Sequence, residues 1–344
     1  MNSAAILGMG ASCPVGYGVR PIQAAMASGL RNFQDSVTLT PDGKPARISR
    51  MPDLSESVSR AERIAVLTRC AVADFCDNVM VELPHSLPVF VGVGHDSAEP
   101  DLAGIRRALG DGSEGLLNAE SATTFAGHPG GRIAFLSAMA LAIRSFDEGE
   151  GELALIVAAD TRCTWEAMDA LYRERRLLNS EDDGLIPGEA AVVALAARPT
   201  SRLAMQHARF LLCSPAFAED EFQLLRRSPQ ASRGLGRAFN SLRGHPTAGT
   251  TRPDAVISFD TGELFFTRAF ATGYLRSAKL MPEPLRHELI AANLGDTGAA
   301  SAGMALLRAD WMMHRKDRAS CSRVLVYGHA DNGWCSAAMT IHIQ

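Results

Sequence analysis

The sequence predicts an α/β fold, because short apolar segments alternate with longer segments of helical spacing along most of the chain. Short apolar runs bounded by Gly, Asp or Asn are typical of buried parallel strands, and the segments between them are typical of helices that cover a sheet. The chain has 344 residues, 47% hydrophobic and 21% charged, which suffices for a core that needs no disulfide or metal. Its length alone leaves open one large domain or two.

The order of the predicted elements suggests two similar halves. In the first part we predict strands at Ala4 to Leu7, Pro88 to Val93, Leu153 to Ala158 and Ala190 to Ala196, and helices at Val19 to Ser28, Arg60 to Asp74, Arg132 to Phe146 and Trp165 to Leu171. In the second part we predict strands at Phe210 to Cys213, Ala255 to Phe259, Leu289 to Ala292, Val324 to Tyr327 and Ala337 to His342, and a helix at Ala299 to Met313. The Pro-containing segment Arg198 to Ser201 is the predicted boundary, which gives halves at 1–199 and 200–344.

Composition excludes several classes of function. The formal net charge is -4 and basic residues are not clustered with aromatic ones, so we expect no nucleic-acid partner. Seven cysteines without C-x-x-C spacing suggest neither a disulfide framework nor a zinc site. The N-terminus lacks a charged region followed by a long apolar one, and no apolar run approaches the ~20 residues of a membrane span, so we expect a cytoplasmic protein without a membrane partner.

We also expect neither a bound cofactor nor a metal. Gly8-Met9-Gly10 opens like a dinucleotide-binding loop, but Cys13 stands where the third glycine of that motif belongs. The histidines have no mutual ligand spacing in the sequence. Nucleotide and metal chemistry are therefore not predicted.

Four segments, in this order along the chain, carry a resemblance to a known family. They are Gly8 to Gly16, Gly184 to Ala191 with its Pro-Gly-Glu-Ala-Ala run, Leu294 to Ser301, and Val326 to Gly333. Together they resemble the β-ketoacyl synthases (3-oxoacyl-ACP synthases) of the thiolase-like superfamily. The resemblance implies a five-layered α-β-α-β-α sandwich of two βαβαβ halves, an active site at their junction, and a dimer that pairs through the strand near Ala122 to Ala126.

The same resemblance implies that the condensing residues are missing. Condensation needs a cysteine at a helix N-terminus and two histidines that donate hydrogen bonds to a thioester oxygen. When Gly127 to Ala134 is aligned with the family's Ala-Cys-Ser-Ser-Ser-Leu-Val-Ala, His128 occupies the cysteine position. Phe259 occupies the first histidine position, or Asp260 if the alignment slips by one residue, and Asp296 occupies the second. We therefore expect no condensing activity.

Two functions remain open from the sequence. In the first, the chain is a ketosynthase-like pseudoenzyme, a binding or scaffolding protein for an acyl carrier, a ketosynthase subunit or a secretion-system partner, acting as a homodimer or as a heterodimer with a related subunit. In the second, His128 and Asp296 form an acid/base dyad of an acyltransferase or thioester hydrolase acting on acyl carrier protein or acyl-CoA. A pocket filled by Phe259, Phe265 or Phe266 would favour the first, and an open tunnel to His128 the second.

Two further segments and one cysteine are expected to be structural or surface features. The run Arg173 to Asp183 is predicted to be a mixed-charge surface, and part of Arg226 to Arg252 a mobile surface excursion, because of its Arg, Ser, Gly and Pro content. Cys163, close after a predicted strand, is expected to be a small core residue and not a displaced nucleophile.

Overall fold

The computed structural model describes residues 2–79, 81, 83–84, 87–94, 99–112, 123–126, 130–220, 233–248, 251–317 and 320–343. The strands of these residues are β1 (Ser3–Cys13), β2 (Gly16–Tyr17), β3 (Gln34–Leu39), β4 (Pro45–Ile48), β5 (Val89–Gly92), β6 (Thr123–Ala126), β7 (Leu153–Thr161), β8 (Glu189–Ala197), β9 (Phe210–Cys213), β10 (Ala216–Glu219), β11 (Ala255–Ser258), β12 (His287–Leu289), β13 (Arg323–His329) and β14 (Trp334–His342).

The α-helices are α1 (Val19–Ser28), α2 (Arg60–Asn78), α3 (Glu99–Gly112), α4 (Ala134–Glu148), α5 (Trp165–Arg173), α6 (Arg202–His207), α7 (Gly234–Arg243), α8 (Leu264–Arg276), α9 (Ala291–Leu294) and α10 (Ser301–His314). Single 3₁₀ turns lead into two of them, Gly131–Ile133 into α4 and Gly298–Ala300 into α10. None of the helices in the described ranges is both long and apolar enough to cross a bilayer.

The main sheet repeats one topology twice. Its order is β12-β11-β13-β14-β9-β1-β8-β7-β5-β6, and the pairing of β1 with β9 joins two groups of five strands. In the first group β1–β8 and β8–β7 pair antiparallel, and β7–β5 and β5–β6 pair parallel. In the second group β9–β14 and β14–β13 pair antiparallel, and β13–β11 and β11–β12 pair parallel, in the same order. The two similar halves predicted from the sequence are therefore present as one strand order used twice.

Three buried clusters show how the layers stack. The central cluster contains the apolar faces of α4 and α10 together with residues of both strand groups, such as Ile156 and Val326. A second cluster joins the outer face of the first group to α2 and α3, through residues such as Phe75 and Ile105. A third joins the outer face of the second group to α7, through residues such as Phe239. Helix, sheet, helix, sheet and helix therefore follow one another, which is the five-layered arrangement expected of a thiolase-like chain.

One prediction of local structure was wrong. The apolar run Leu289 to Ala292 is not a strand, because β12 ends at Leu289 and the chain turns into α9, with the Leu294 N–H donating to the Ile290 carbonyl at 3.2 Å. A run of four apolar residues does not distinguish a strand from a buried helical turn.

Part of the stretch Arg226 to Arg252 is predicted to be a mobile surface excursion, and for residues 226–232 this stays a prediction. The described part of the stretch contains α7, which buries Leu235, Phe239 and Leu242 along one face, so this part is a packed helix and not a surface excursion. These three residues have the i, i+4, i+7 spacing of one buried helix face, although the segment is rich in Arg, Ser and Gly. Residues 226–232 and 249–250 lie outside the described residues.

Candidate functional site

The two 3₁₀ turns that begin the central helices meet at the junction of the halves. Gly298 has a φ of 52°, and a Cβ at this position would lie 1.9 Å from Oδ2 of Asp160, so only glycine fits. The next N–H, of Ala299, donates to the same Asp160 oxygen at 2.8 Å. The start of α10 is thus fixed against the end of β7.

Arg132, in the 3₁₀ turn before α4, is buried at this junction with a side chain 1% exposed. Its Nη1 donates to Oδ2 of Asp296 at 3.3 Å and its Nη2 to Oδ1 of Asp331 at 2.6 Å. Its Nε donates to the His329 carbonyl at 2.9 Å, and the ring of Phe266 lies 4.9 Å from the guanidinium carbon. Burial works to lower the pKa of Arg132, but the two carboxylates outweigh it and raise that pKa. Arg132 is therefore a buried cation.

Asp296, at the predicted second histidine position, is fixed by hydrogen bonds of both its side chain and its backbone. Its Oδ1 accepts from the Gly298 N–H at 3.0 Å, in addition to the Arg132 contact of Oδ2. Its N–H donates to the Ile186 carbonyl at 2.7 Å, and its own carbonyl accepts from the Gly188 N–H at 2.9 Å. Asp296 thus sits against the turn that contains the Pro-Gly-Glu-Ala-Ala run.

That turn also shows why its glycine and glutamate are needed. A Cβ on Gly188 would lie 2.4 Å from the Leu294 carbonyl oxygen, so the two backbones approach too closely for any side chain. Glu189 is fully buried and accepts from Arg63 at 3.1 Å through both oxygens, from the Thr161 hydroxyl at 2.7 Å and from the Met51 N–H at 2.7 Å. These contacts hold the turn and make Glu189 a structural carboxylate.

A second arginine extends the ion pairs around Asp331. Arg176 donates to Glu263 in a bidentate pair, from Nε at 3.1 Å and from Nη2 at 2.9 Å, and its Nη1 donates to Oδ2 of Asp331 at 2.9 Å. The Thr261 hydroxyl donates to Glu263 at 2.6 Å. Burial works to raise the pKa of Asp331, yet Arg132 and Arg176 hold it well below its ordinary range. We call Arg132, Arg176, Glu263, Asp296 and Asp331 the junction network.

The junction network corrects one expectation for the run Arg173 to Asp183. Arg176 is only 6% exposed, although residues around it such as Arg173 and Glu181 are on the surface, as predicted. Charge content alone predicts a solvated face, but Arg176 has carboxylate partners far along the chain that offset its burial.

At the predicted first histidine position, Phe259 or Asp260, the structure has a buried aromatic ring and, one residue later, a carboxylate. Phe259 is 2% exposed and packs so closely on Gly328 that a Cβ there would lie 2.3 Å from two ring carbons. Asp260 accepts from the His329 N–H at 2.6 Å and contacts Nδ1 of the same histidine at 3.1 and 3.2 Å through its two oxygens. A histidine therefore lies beside this position, but it comes from the end of β13.

The predicted site residues have different outcomes. Asp296, Phe259 and Phe266 lie at the junction, while the assignment of Asp296 and Phe259 to the two histidine positions stays a prediction. His128 lies outside the described residues, so the His128 and Asp296 dyad remains a prediction. Cys163 is 1% exposed, its Sγ donates to the Ser49 carbonyl at 3.4 Å, and burial raises the pKa of its thiol well above the ordinary value. It is a core thiol and not a nucleophile.

Sequence reasoning missed most of the junction network. One signal was available, since Arg132 interrupts the otherwise apolar and small residues that begin a helix predicted to be buried. A lone arginine at such a place needs a carboxylate partner. Its partners could not be identified, because Asp296 and Asp331 come from distant loops that the fold brings together.

Comparisons with known proteins agree with this architecture. A chain from the complex of a type II PKS acyl-carrier protein with its ketosynthase bound to the hexaketide matches this protein. The TM-score is 0.79 and the identity 10%, over 100% of both chains. The ishigamide ketosynthase/chain length factor matches with a TM-score of 0.67 and 18% identity over 99% of this chain and 100% of the other. A β-ketoacyl synthase from Burkholderia phymatum matches with a TM-score of 0.70 and 14% identity over 100% of both.

No protein-family model matches the sequence, and no curated protein matches it either. At identities this low the structural matches establish the fold alone. The chain has the thiolase-like fold of ketosynthases and chain length factors.

Proposed function

We propose that this chain is a non-condensing ketosynthase-like protein, which uses the fold to bind a partner and not to form carbon–carbon bonds. The observation that carries the proposal is the burial of Arg132 between Asp296 and Asp331 at the junction. An arginine salt bridge there offers donors that are already engaged and carboxylates that are already paired. Neither can take over the tasks of a thiolate nucleophile or of two free donors to an enolate oxygen.

The aromatic residues support the same proposal. Phe259 is buried against Gly328, and Phe266 stacks near the guanidinium of Arg132 and lies 5.4 Å from the His329 ring. These side chains occupy space at the junction. An acyl chain would have to displace them.

The partner we propose is a second chain of the same fold, bound along β6. Within the described residues β6 pairs only with β5, so it ends the main sheet and presents a row of backbone donors and acceptors. One of the structural matches is itself a ketosynthase/chain length factor, and another is a ketosynthase in complex with an acyl-carrier protein. These support a second subunit or an acyl carrier as the class of partner.

The test measures turnover and pairing on the same protein. Wild type and His128→Ala are assayed for acyl-CoA hydrolysis, acyl transfer and CO₂ release from malonyl carrier substrates. We expect none of these activities in either protein, together with a stable complex of two chains. Turnover by the wild type that disappears in His128→Ala would overturn the proposal and establish the acyltransferase or thioester hydrolase in its place.

A further inference from the structure

Three adjacent strands of the second half bring a histidine, a cysteine and an aspartate together on one face. His329 ends β13 and lies directly opposite Cys335 of β14, and Cys335 is in turn opposite Ala218 of β10. Asp220 follows two residues after Ala218, so it falls on the same face of the sheet. The side-chain ligand atoms of Asp220, His329 and Cys335 all lie within 4.8 Å of one another, and all three residues are buried.

The His329 ring is oriented by the carboxylate of Asp260. Nδ1 lies 3.1 Å from an oxygen of Asp260, and an ionised carboxylate can only accept, so Nδ1 carries the proton. Nε2 then carries a lone pair. It has no hydrogen-bond partner among the described residues, although His329 is only 3% exposed. The ligand atoms of Cys335 and Asp220 lie within 4.8 Å of a ring nitrogen of this histidine. A histidine with one ring nitrogen on a carboxylate and the other buried without a partner has the arrangement typical of a metal ligand.

Asp220 is held in place from the other side. Its Oδ1 accepts from the backbone N–H groups of Arg233 at 2.9 Å and Gly234 at 2.8 Å, at the start of α7. A Cβ on Gly234 would lie 2.8 Å from Oδ2 of Asp220 and 3.2 Å from Sγ of Cys335, so a residue without a side chain is needed beside the cluster. The three ligand atoms are thus fixed by the sheet and by α7.

We propose that Asp220, His329 and Cys335 bind a divalent transition-metal ion of the zinc class. A thiolate and a carboxylate together offset the charge of a dication, and with a neutral imidazole they form a mixed S, N, O ligand set that zinc accepts and calcium and magnesium do not. Ligand atoms about 2.0–2.3 Å from a tetrahedral ion stand about 3.3–3.8 Å apart, so a separation at the 4.8 Å limit would shorten by about an ångström on binding.

The bound ion would also act on the loop after β13. It would link β10, β13 and β14 at a point where the His329 carbonyl already accepts from Arg132. The same loop carries Asp331 of the junction network. An ion that binds only the folded chain raises its stability in proportion to the logarithm of the free-metal concentration.

The experiment titrates chelator-treated, tag-free, full-length protein with Co²⁺ and, in competition, with Zn²⁺. The wild type is expected to take up about one ion per chain and to develop a thiolate-to-Co²⁺ charge-transfer band that Zn²⁺ removes. Cys335→Ala is expected to lose the band and to bind at least about 10-fold more weakly. Cys213→Ala is the matched control, because Cys213 is also fully buried and belongs to the same core cluster, and it should titrate like the wild type.

Two outcomes would overturn the proposal: a wild type that develops no saturable thiolate band, or a Cys335→Ala protein that binds as tightly as the wild type. If Cys335→Ala does not fold, as judged by circular dichroism, Asp220→Asn replaces it. That change keeps an oxygen for the N–H groups of Arg233 and Gly234 while removing the charge. Unchanged affinity in folded Asp220→Asn would contradict the assignment of Asp220 as a ligand.

Discussion

Arg132 and His329 are joined by a hydrogen bond of 2.9 Å from the Nε of the arginine to the backbone carbonyl of the histidine. Arg132 lies in the 3₁₀ turn before the central helix α4, and His329 ends β13, so this bond connects the two halves of the chain. A nitrogen of the histidine ring lies within 4.8 Å of the ligand atoms of Asp220 and Cys335. One residue thus contributes its backbone to the junction and its side chain to the proposed metal site.

Replacing Arg132 with methionine should destabilise the protein strongly. The change removes the cation shared by Asp296 and Asp331 and keeps most of the apolar volume of the side chain. Breaking a buried ion pair on one side typically costs about 3–5 kcal/mol, because a charge is left buried without its partner. The free energy of unfolding from urea titration measures this loss.

The control for that experiment lies on α4, the helix that follows the 3₁₀ turn of Arg132. Arg144 pairs with Glu148 on the surface of α4, with side chains 67% and 55% exposed. Arg144→Met removes this pair and should change the unfolding free energy by no more than about 0.5 kcal/mol. Equal losses in Arg132→Met and Arg144→Met would mean that the junction ion pairs do not stabilise the fold.

Stability should fall as the pH is lowered below about 4–5. The pKa of Asp331 is held below its ordinary range by Arg132 and Arg176, and that of Asp160 is lowered chiefly by Arg60 against the opposing effect of burial. A carboxyl with a depressed folded-state pKa stabilises the fold above its unfolded pKa of about 3.9 and loses this contribution as the pH drops toward the folded value. Urea midpoints at pH 7, 5, 4 and 3 would trace the loss.

The comparison for the acid series is Asp331→Asn. This variant has no titratable group at position 331, so its stability should decline less steeply with acid than that of the wild type, even if it is lower at pH 7. A wild type that gained stability on acidification, or parallel declines in the two proteins, would show that Asp331 is not the group responsible.

Pairing through β6 should depend on the backbone N–H groups that face away from β5. Donors alternate between the two sides of a strand, so one of Thr123→Pro and Thr124→Pro removes a donor on the open side and the other removes one that faces β5. Light scattering at micromolar concentration should give two chains per particle for the wild type. One of the two proline variants should be a folded monomer. A monomeric wild type would contradict the dimer unless a related chain is needed as the partner.

The sequence allowed the layers of the fold to be predicted because its signals are local. Apolar runs such as Leu153 to Ala158 and Ala190 to Ala196 lie inside β7 and β8, and the helix predicted at Val19 to Ser28 has the observed bounds. Elements with weaker patterns, among them α3 and α8, were not predicted. Which residues of these two helices are buried depends on the sheet that each helix covers, and the composition of the segment does not predict this.

The site was predictable only where it follows a motif. Asp296 was assigned from its place in the family-like segment Leu294 to Ser301, and Phe259 from its place at the end of a predicted strand. Both lie at the junction, and their assignment to the two histidine positions stays a prediction. The partners of Arg132 and of His329 were not predictable, because Asp331, Asp220 and Cys335 come together through strand register and loop closure. Such contacts are properties of the folded chain, and no spacing in the sequence marks them.

The contact between Phe259 and Gly328 provides a test of how tightly the first histidine position is packed. In Gly328→Ala the new methyl group would lie 2.3 Å from two carbons of the Phe259 ring, so the ring or the strand must move. Overpacking of this kind costs about 1–3 kcal/mol. Gly110→Ala in α3 is the control, since a Cβ there would lie within 4 Å of none of the described residues that surround it, and it should leave stability unchanged or raise it by up to about 1 kcal/mol.

A double variant separates this clash from a general intolerance of change in β13. Phe259→Leu removes the ring atoms that the new methyl group would meet, so Gly328→Ala should cost less when it is made together with Phe259→Leu than when it is made alone. Urea unfolding of the two single variants and the double variant gives the coupling free energy. Additive losses would show that the cost of a side chain at Gly328 does not come from Phe259, and the close packing inferred at this position would then be wrong.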